Sequence, residues 1–345
     1  MLMQQLLNTL YITTEGAYLH IDHETLKVEV EQETKLQVPI HHIGGVVLFG
    51  HSMVSPMAMA RCVEDGRFLV FLNRNGRFLA RVEGPVSGNV LLRCAQHEVR
   101  ADTEHTLRIA KHIVAGKLQN TRQIVLRGAR EARAPEDSTA LRHTTEQLAG
   151  SITRLASCDN LDSLRGIEGE AARTYFSTWD RMVREDRDTF GMNGRTRRPP
   201  KDPVNALLSF LYALLMNDCV AAAEGVGLDP QLGFLHALRP GRAALALDLM
   251  EELRSVLADR LVLTLINRKQ ISAKDFVDRP GGAIHLVDNA RKDVITAYQK
   301  RKQEEITHPT LNQKMPLGLV PHVQARLLAR VLRGDMDEYV PFLYR

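Results

Sequence analysis

The rhythm of apolar positions changes once along this chain, near residue 85. Before that point apolar and polar residues alternate. Leu10-Tyr11-Ile12 runs into Thr13 and Thr14, Glu15-Gly16 offers a turn before Tyr18-Leu19-His20-Ile21, and Val28 and Val30 alternate with Glu29 and Glu31. Leu36, Val38 and Ile40 keep the same period of two, the signature of half-buried strands. Gly45-Val46-Val47-Leu48-Phe49 is apolar throughout and predicts a strand buried more fully than its neighbours. One helix interrupts the series, with Ser55 as N-cap, Pro56 at the first helical position and Gly66 as the stop. Strands over 68–72 and 78–82 follow, around an Asn75-Gly76 turn.

Glu83-Gly84-Pro85-Val86-Ser87-Gly88-Asn89 is the predicted linker. After it Ala, Leu, Arg and Glu recur at helical spacing. Helices are predicted near 90–116, 119–132, 140–156, 160–185, 203–223, 244–267, 286–305 and 321–333. Ala134 to Ser138 reads as a loop, and Phe190 to Pro203, rich in proline and basic residues, as a mobile basic loop. The expected fold class is α+β: a small β-rich domain over 1–85, the linker 83–89, and a larger all-α catalytic domain over 90–345.

A length of 345 residues suffices for two cores, and 44% hydrophobic with 25% charged residues matches an ordinary soluble protein. A net charge of +4 is too small to argue for a nucleic-acid partner. The distribution of charge says more: basic residues gather at Arg195, Arg197 and Arg198, at Arg239 and Arg242, and from Arg291 to Lys302, the last reading first as a solvated face. Cys62, Cys94, Cys158 and Cys219 form no CxxC pair, which argues against a zinc ribbon or a disulfide framework and fits a reducing cytoplasm. The segment MLMQQLLNTLYI lacks the basic start and cleavage site of a signal peptide, and the longest apolar run, Ala206 to Met216, is too short to span a bilayer. No membrane role is expected.

Candidate chemistry lies in three separated segments. In RGIEGEAARTYF, Glu168 shares a helix face with Leu164, Ala172, Tyr175 and Trp179, whereas Glu170 points about 200° away. A carboxylate on an apolar face needs a partner. Taken alone, this helix is explained better by a salt bridge to Arg165 or Arg173 than by a metal. In ALALDLMEELR, Asp248 is the only polar residue from Ala243 to Met250, and Glu251 follows at i+3. Two carboxylates on one side of a helix repel unless a cation attends them, although acids in a first turn also favour the helix dipole. His236, in GFLHALRPGR, is by itself an ordinary histidine beside Phe234 and Leu235. In DPVNALLSFLYALLMNDC, Asn205, Ser209, Tyr212 and Cys219 form a polar stripe that suits either hydrogen bonds supporting a site or buried helix–helix contacts.

RGIEGEAARTYF, RTRRPPKDPVNALLSFLYALL, GFLHALRPGR and LALDLMEELR stand in the order and rough spacing of the CRISPR-associated integrase family, the larger subunit of the pair that inserts new spacers into CRISPR arrays. The resemblance continues into QARLLARVLRGDMDEYVPFLY, covers nearly the whole chain, and is closest to members accompanying type I-C systems. It implies a metal-dependent DNA endonuclease/integrase, in which a DNA 3′-hydroxyl attacks a repeat phosphodiester by transesterification. It implies Glu168, His236 and Glu251 as catalytic residues and ligands of Mg2+ or Mn2+, with Glu251 standing where many members have Asp. Asp248, Asn205, Ser209 and Tyr212 would support the site, with Asp202 and the basic loop matching family positions. Arg165, Arg173, Arg195, Arg197, Arg198, Arg239 and Arg242 would contact DNA. The partners implied are double-stranded DNA, a second copy of the chain joined through the β-rich domain, a small ferredoxin-like subunit and, for a type I-C member, an iron–sulfur nuclease. A repair nuclease acting on branched DNA, or a DNA-binding scaffold whose acids form structural ion pairs, would use the same residue types.

Overall fold

The computed structural model describes residues 9–74, 78–84, 90–192 and 194–344. The Asn75-Gly76 turn, the N-terminal eight residues and the linker beyond Gly84 lie outside them. The chain divides into two compact units. One comprises Met1–Gly88 with Lys302–Glu304 and Pro316–Leu319; the other holds Asn89–Arg301, Glu305–Met315 and Val320–Arg345.

The N-terminal strands are β1 (Thr9–Ile12), β2 (Tyr18–Asp22), β3 (Thr25–Val30), β4 (Glu33–Pro39), β5 (Gly45–Phe49), β6 (Met53–Val54), β7 (Phe68–Leu72) and β8 (Phe78–Val82), with helix α1 (Pro56–Glu64) before β7. They form two four-stranded sheets, ordered β1-β5-β7-β8 and β4-β3-β2-β6. Strand β5 pairs parallel with β1 and β7, and all five of its residues are buried, as its unbroken apolar run predicts. Gly45 opens it because a β-carbon there would collide with the Phe68 ring. Ser55 caps α1, its hydroxyl accepting from Ala58 N at 3.2 Å, and Gly66 turns the chain with a positive φ of 68°. The core of this unit gathers the inward residues of both sheets with Ala58 and Cys62 of α1.

The rest is mostly helical: α2 (Val90–Ala101), α3 (Thr103–Glu131), α4 (Pro135–Arg154), α5 (Leu161–Ser177), α6 (Arg187–Phe190), α7 (Pro203–Val226), α8 (Ala244–Glu251), α9 (Arg260–Asn267), α10 (Asp288–Gln303) and α11 (Val320–Leu332). Several boundaries differ from the sequence expectation for local reasons. The first long pattern breaks at Asp102, whose carboxylate caps α3 by accepting from Glu104 N and His105 N. Ala134 to Ser138 is not a loop, because Pro135 starts α4 at the position where a missing N–H costs nothing. Helix α5 stops at Ser177, and Trp179 sits in a separate 3₁₀ turn. The predicted helix over 244–267 is split by a π-helical stretch, Arg254–Asp259. Two antiparallel hairpins, β9 (Phe276–Arg279) with β10 (Ala283–Leu286) and β11 (Glu305–His308) with β12 (Gln313–Pro316), interrupt the helices.

Helix α7 runs to Val226, three residues past its expected end at 223. By length and composition alone α7 could cross a membrane, but 61% of its most apolar stretch is buried within the fold. It acts as a core helix, flanked by α8, α11 and the π segment. The basic run after residue 291 is not simply a solvated face: Arg291 and Arg301 are buried, and Arg301 Nη2 donates to Val256 O at 3.2 Å.

Candidate active site

The three candidate ligands come from two helices and a loop, with a fourth element between them. Asn160 caps α5, its side chain accepting from Ser163 N at 2.8 Å. The buried face of α5 carries Leu164, Ala171 and Tyr175. Glu168 sits at the rim of that face, its side chain 25% exposed. Its partner is neither Arg165 nor Arg173 but Lys117, from the middle of α3, whose ammonium donates to Glu168 Oε1. Glu170 is exposed and pairs with Arg154 at 2.9 Å.

Asp248 explains why an acid stands in the apolar helix α8. It is fully buried, and its Oδ2 accepts from Phe234 N at 2.6 Å and Leu235 N at 3.0 Å. Its Oδ1 accepts from His236 N at 3.0 Å and lies 2.6 Å from His236 Nδ1. One carboxylate therefore holds three successive backbone N–H groups and the imidazole. A carboxylate oxygen accepts, so Nδ1 donates to Asp248 and Nε2 is turned toward Glu251. Gly233 permits the close approach, since a β-carbon there would lie 2.7 Å from Asp248 Oδ2. Arg165 secures the same loop, its Nε donating to Leu235 O at 2.8 Å.

Glu251 is 2% exposed. Its Oε1 pairs with Arg254 Nη1 at 2.8 Å and lies 3.6 Å from His236 Nε2. Its Oε2 is 2.7 Å from Lys117 Nζ. Burial works against the charge, yet Arg254, Lys117 and His236 together hold this carboxyl well below the ordinary range. The donor set thus suits a hard divalent ion: two carboxylates and one oriented imidazole, with no thiolate. As drawn together here, the ammonium of Lys117 stands between the carboxylates, and among the described residues no three acids, histidines or cysteines converge closely enough to hold an ion by themselves.

The polar stripe of α7 divides its work. Asn205 and Ser209 hold the basic loop: Arg195 donates to Asn205 Oδ1 at 2.6 Å and to Ser209 Oγ at 3.2 Å, and Thr196 N donates to Asn205 Oδ1 at 3.0 Å. Asp202 caps α7 by accepting from Asn205 N at 2.7 Å. The loop is therefore tied to α7 at its centre, and the Arg195 guanidinium is engaged inward. Tyr212 sits deeper. The guanidinium carbons of Arg195 and Arg254 each lie 5.3 Å from its ring centroid, and its hydroxyl donates to Asp259 Oδ1 at 2.6 Å. Tyr175 donates to the other oxygen of Asp259 at 2.9 Å. Cys219 is buried in the core.

Arg173, Arg197, Arg198 and Arg239 are exposed. Burial, with Arg239, Arg165 and Arg198 as cationic neighbours, lowers the Arg242 guanidinium below its ordinary value. These four arginines gather their charge beside the His236 loop. Sequence reasoning missed Lys117, Arg254, Tyr175 and Asp259. Arg254 was within reach, lying at i+3 from Glu251, and Asp259 is a lone acid in an apolar run. Nothing near Lys117 in sequence marks it.

Residues 10–300 match the family model described as CRISPR associated protein Cas1. The chain is 61% identical over 343 residues to CRISPR-associated endonuclease Cas1 1 of Moorella thermoacetica, covering 99% of this chain and 100% of that one. This chain belongs to the Cas1 family. It is also 36% identical over 343 residues to the CRISPR-associated exonuclease Cas4/endonuclease Cas1 fusion of Geobacter sulfurreducens, covering 97% of this chain and 60% of the fusion. Among solved structures, a chain of the partial Cas6-RT-Cas1–Cas2 complex superposes with a TM-score of 0.68 at 25% identity, covering 98% of this chain and 99% of that one. Cas1 membership accords with a β-rich N-terminal part followed by a mostly helical one.

Proposed function

We propose that this Cas1-family chain is a divalent-metal-dependent DNA endonuclease/integrase of CRISPR adaptation, joining a DNA 3′-hydroxyl to a repeat phosphodiester. The observation that carries the reading is the convergence of Glu168 and Glu251 on one cation, Lys117, beside a histidine whose Nε2 lies 3.6 Å from Glu251 Oε1. Glu168, Glu251 and His236 Nε2 would hold the ion, which is expected to be magnesium or manganese. When bound, such an ion supplies polarisation of the phosphodiester and stabilisation of the entering and leaving oxygens. The protein's own groups do the rest. Asp248 keeps the imidazole oriented, and Arg254 keeps Glu251 ionised although buried. Arg165, Arg198, Arg239 and Arg242 supply the positive field that seats the phosphate backbone. Asn205, Ser209 and Tyr212 act through the basic loop and Arg254 and do not touch DNA themselves.

The similar chain of a Cas6-RT-Cas1–Cas2 complex supports a Cas2 partner, and the Cas4/Cas1 fusion supports association with a Cas4 exonuclease. A homodimer through the β-rich part, a type I-C setting and a cytoplasmic location rest on the family resemblance and on four cysteines with no CxxC pair. The reading is tested by offering purified protein a branched DNA with a free 3′-end in water, with and without Mn2+. Metal-dependent joining of the two strands supports it; metal-dependent nicking without joining would reassign the chain as a nuclease.

A further inference from the structure

We propose that Lys117 is a resident cation of the site, bound where the divalent ion must bind and displaced when the ion enters. The inference rests on the metal-site reading above and goes beyond it. Lys117 lies at the midpoint of the 29-residue helix α3, far in sequence from both acids it serves. Its ammonium donates to Glu168 Oε1 and stands 2.7 Å from Glu251 Oε2. That second oxygen is buried, and the ammonium is the cation beside it. A buried carboxylate is costly without a cation beside it, and in the metal-free protein Lys117 supplies that cation to both acids. A small divalent ion binds carboxylate oxygens at about 2.0–2.1 Å, inside the reach of an ammonium, so the two cations compete for the same pair of oxygens.

Only Lys117 is built to leave. Arg254, the other cation on Glu251, lies over the Tyr212 ring and is fixed three residues on, at the start of the π-helical stretch. Lys117 carries a point charge on a flexible four-carbon stem, and its contacts to Glu168 and Glu251 are the only ones that hold its head inward among the described hydrogen bonds and ion pairs. With Arg254 and Lys117 both in place the two carboxylates are already neutralised, so a divalent ion added without displacement would face uncompensated positive charge. Lys117 therefore keeps two acids together in the metal-free protein and lowers the affinity for the ion that replaces it.

The test uses the full chain and Mn2+ alone, followed by calorimetric titration and by thermal unfolding. Lys117→Met should bind Mn2+ about tenfold more tightly than wild type, the scale of removing one nearby like charge. Its melting temperature should fall without metal and return to the wild-type value in saturating Mn2+. An unchanged or weaker affinity, or an equal loss of melting temperature with and without Mn2+, would overturn the proposal. Acylation of wild-type lysines read by mass spectrometry supplies a second measurement that needs no variant: Lys117 should label faster with Mn2+ bound, and unchanged or slower labelling would count against displacement. Wild-type protein that binds no Mn2+ through Glu168, judged against Glu168→Gln, would instead remove the metal-site reading itself.

Discussion

Glu251 and Glu252 are neighbours at the end of α8, both nearly inaccessible to water, and their carboxyl groups are shifted in opposite directions. Glu251 is surrounded by Arg254, Lys117 and His236 and stays ionised well below the ordinary range. Glu252 receives hydrogen bonds from Tyr339 Oη at 2.7 Å, Gln324 Nε2 at 2.9 Å and Phe342 N at 2.7 Å. These donors are neutral and do not offset the loss of water, so burial pushes Glu252 up to about 8. One helix end thus presents a charged acid to the site and a protonated one to the C-terminal segment.

The first prediction concerns pH. In the unfolded chain Glu252 loses its proton near its ordinary value of 4.5, whereas in the folded chain it keeps it to about 8. Between these values the native state binds the extra proton, so this contribution to stability is complete below 4.5 and is lost as pH rises through 8. Asp259, raised to about 6, acts in the same sense but is exhausted above that pH, and the lowered His112, His285 and His308 act below their ordinary 6.5. From pH 6.5 to 8 the wild type should therefore lose stability by up to about 1.4 kcal/mol per pH unit through this group. Urea unfolding of Glu252→Gln across that range should show a correspondingly flatter dependence.

Asp248 makes four contacts, all to the His236 loop, from a fully buried position. Asp248→Asn keeps the volume but brings an N–H₂ group against donors. Metal affinity should weaken by about 10–100-fold, the usual scale for removing a group that orients a ligand. Mn2+ titration of the folded variant is the check, with Asp248→Glu expected to restore little because the loop packs too closely at Gly233.

A β-carbon on Gly116 would lie 2.6 Å from Pro341 Cβ and 3.2 Å from Glu252 Cγ. One residue before Lys117, α3 is therefore pressed against the C-terminal segment, which Asn120 also binds through Phe342 O at 2.8 Å and Tyr344 N at 2.7 Å. Gly116→Ala should destabilise by about 1–3 kcal/mol, the usual cost of overpacking, as measured by the urea midpoint.

Tyr212→Phe removes one of two hydroxyls that satisfy Asp259 while keeping the ring beneath Arg195 and Arg254. Leaving that buried carboxyl short of a donor should cost about 1–3 kcal/mol of stability. Tyr212→Ala should additionally loosen the basic loop, seen as faster amide exchange around Thr196.

Much of this was legible in the chain because local rules agreed there. Period-two alternation and the Ser55-Pro56 cap placed the N-terminal strands and α1, and the apolar surroundings of Asp248 and Glu251 marked α8 as unusual. The misplaced boundaries turned on single residues whose role is geometric, as at Asp102 and Pro135. The hairpin over 276–286 hid behind a short pattern that a helix could also carry, despite its Pro280-Gly281-Gly282 turn. In the site, each acid could be suspected from its own helix, but its partner could not. Lys117 is 51 residues from Glu168 and 134 from Glu251, and its surroundings are those of any amphipathic helix. The division of the α7 stripe between loop anchoring and Asp259 also depends on which elements pack beside it, which periodicity does not encode.

The central claim is that Glu168, Glu251 and His236 hold the ion on which strand joining depends. Its most direct test is strand transfer by purified Glu168→Gln, with Mn2+ and a DNA substrate carrying a free 3′-end, after confirming that the variant folds and still binds DNA. The predicted result is loss of the joined product together with loss of Mn2+ binding; joining at the wild-type rate by Glu168→Gln would contradict the account.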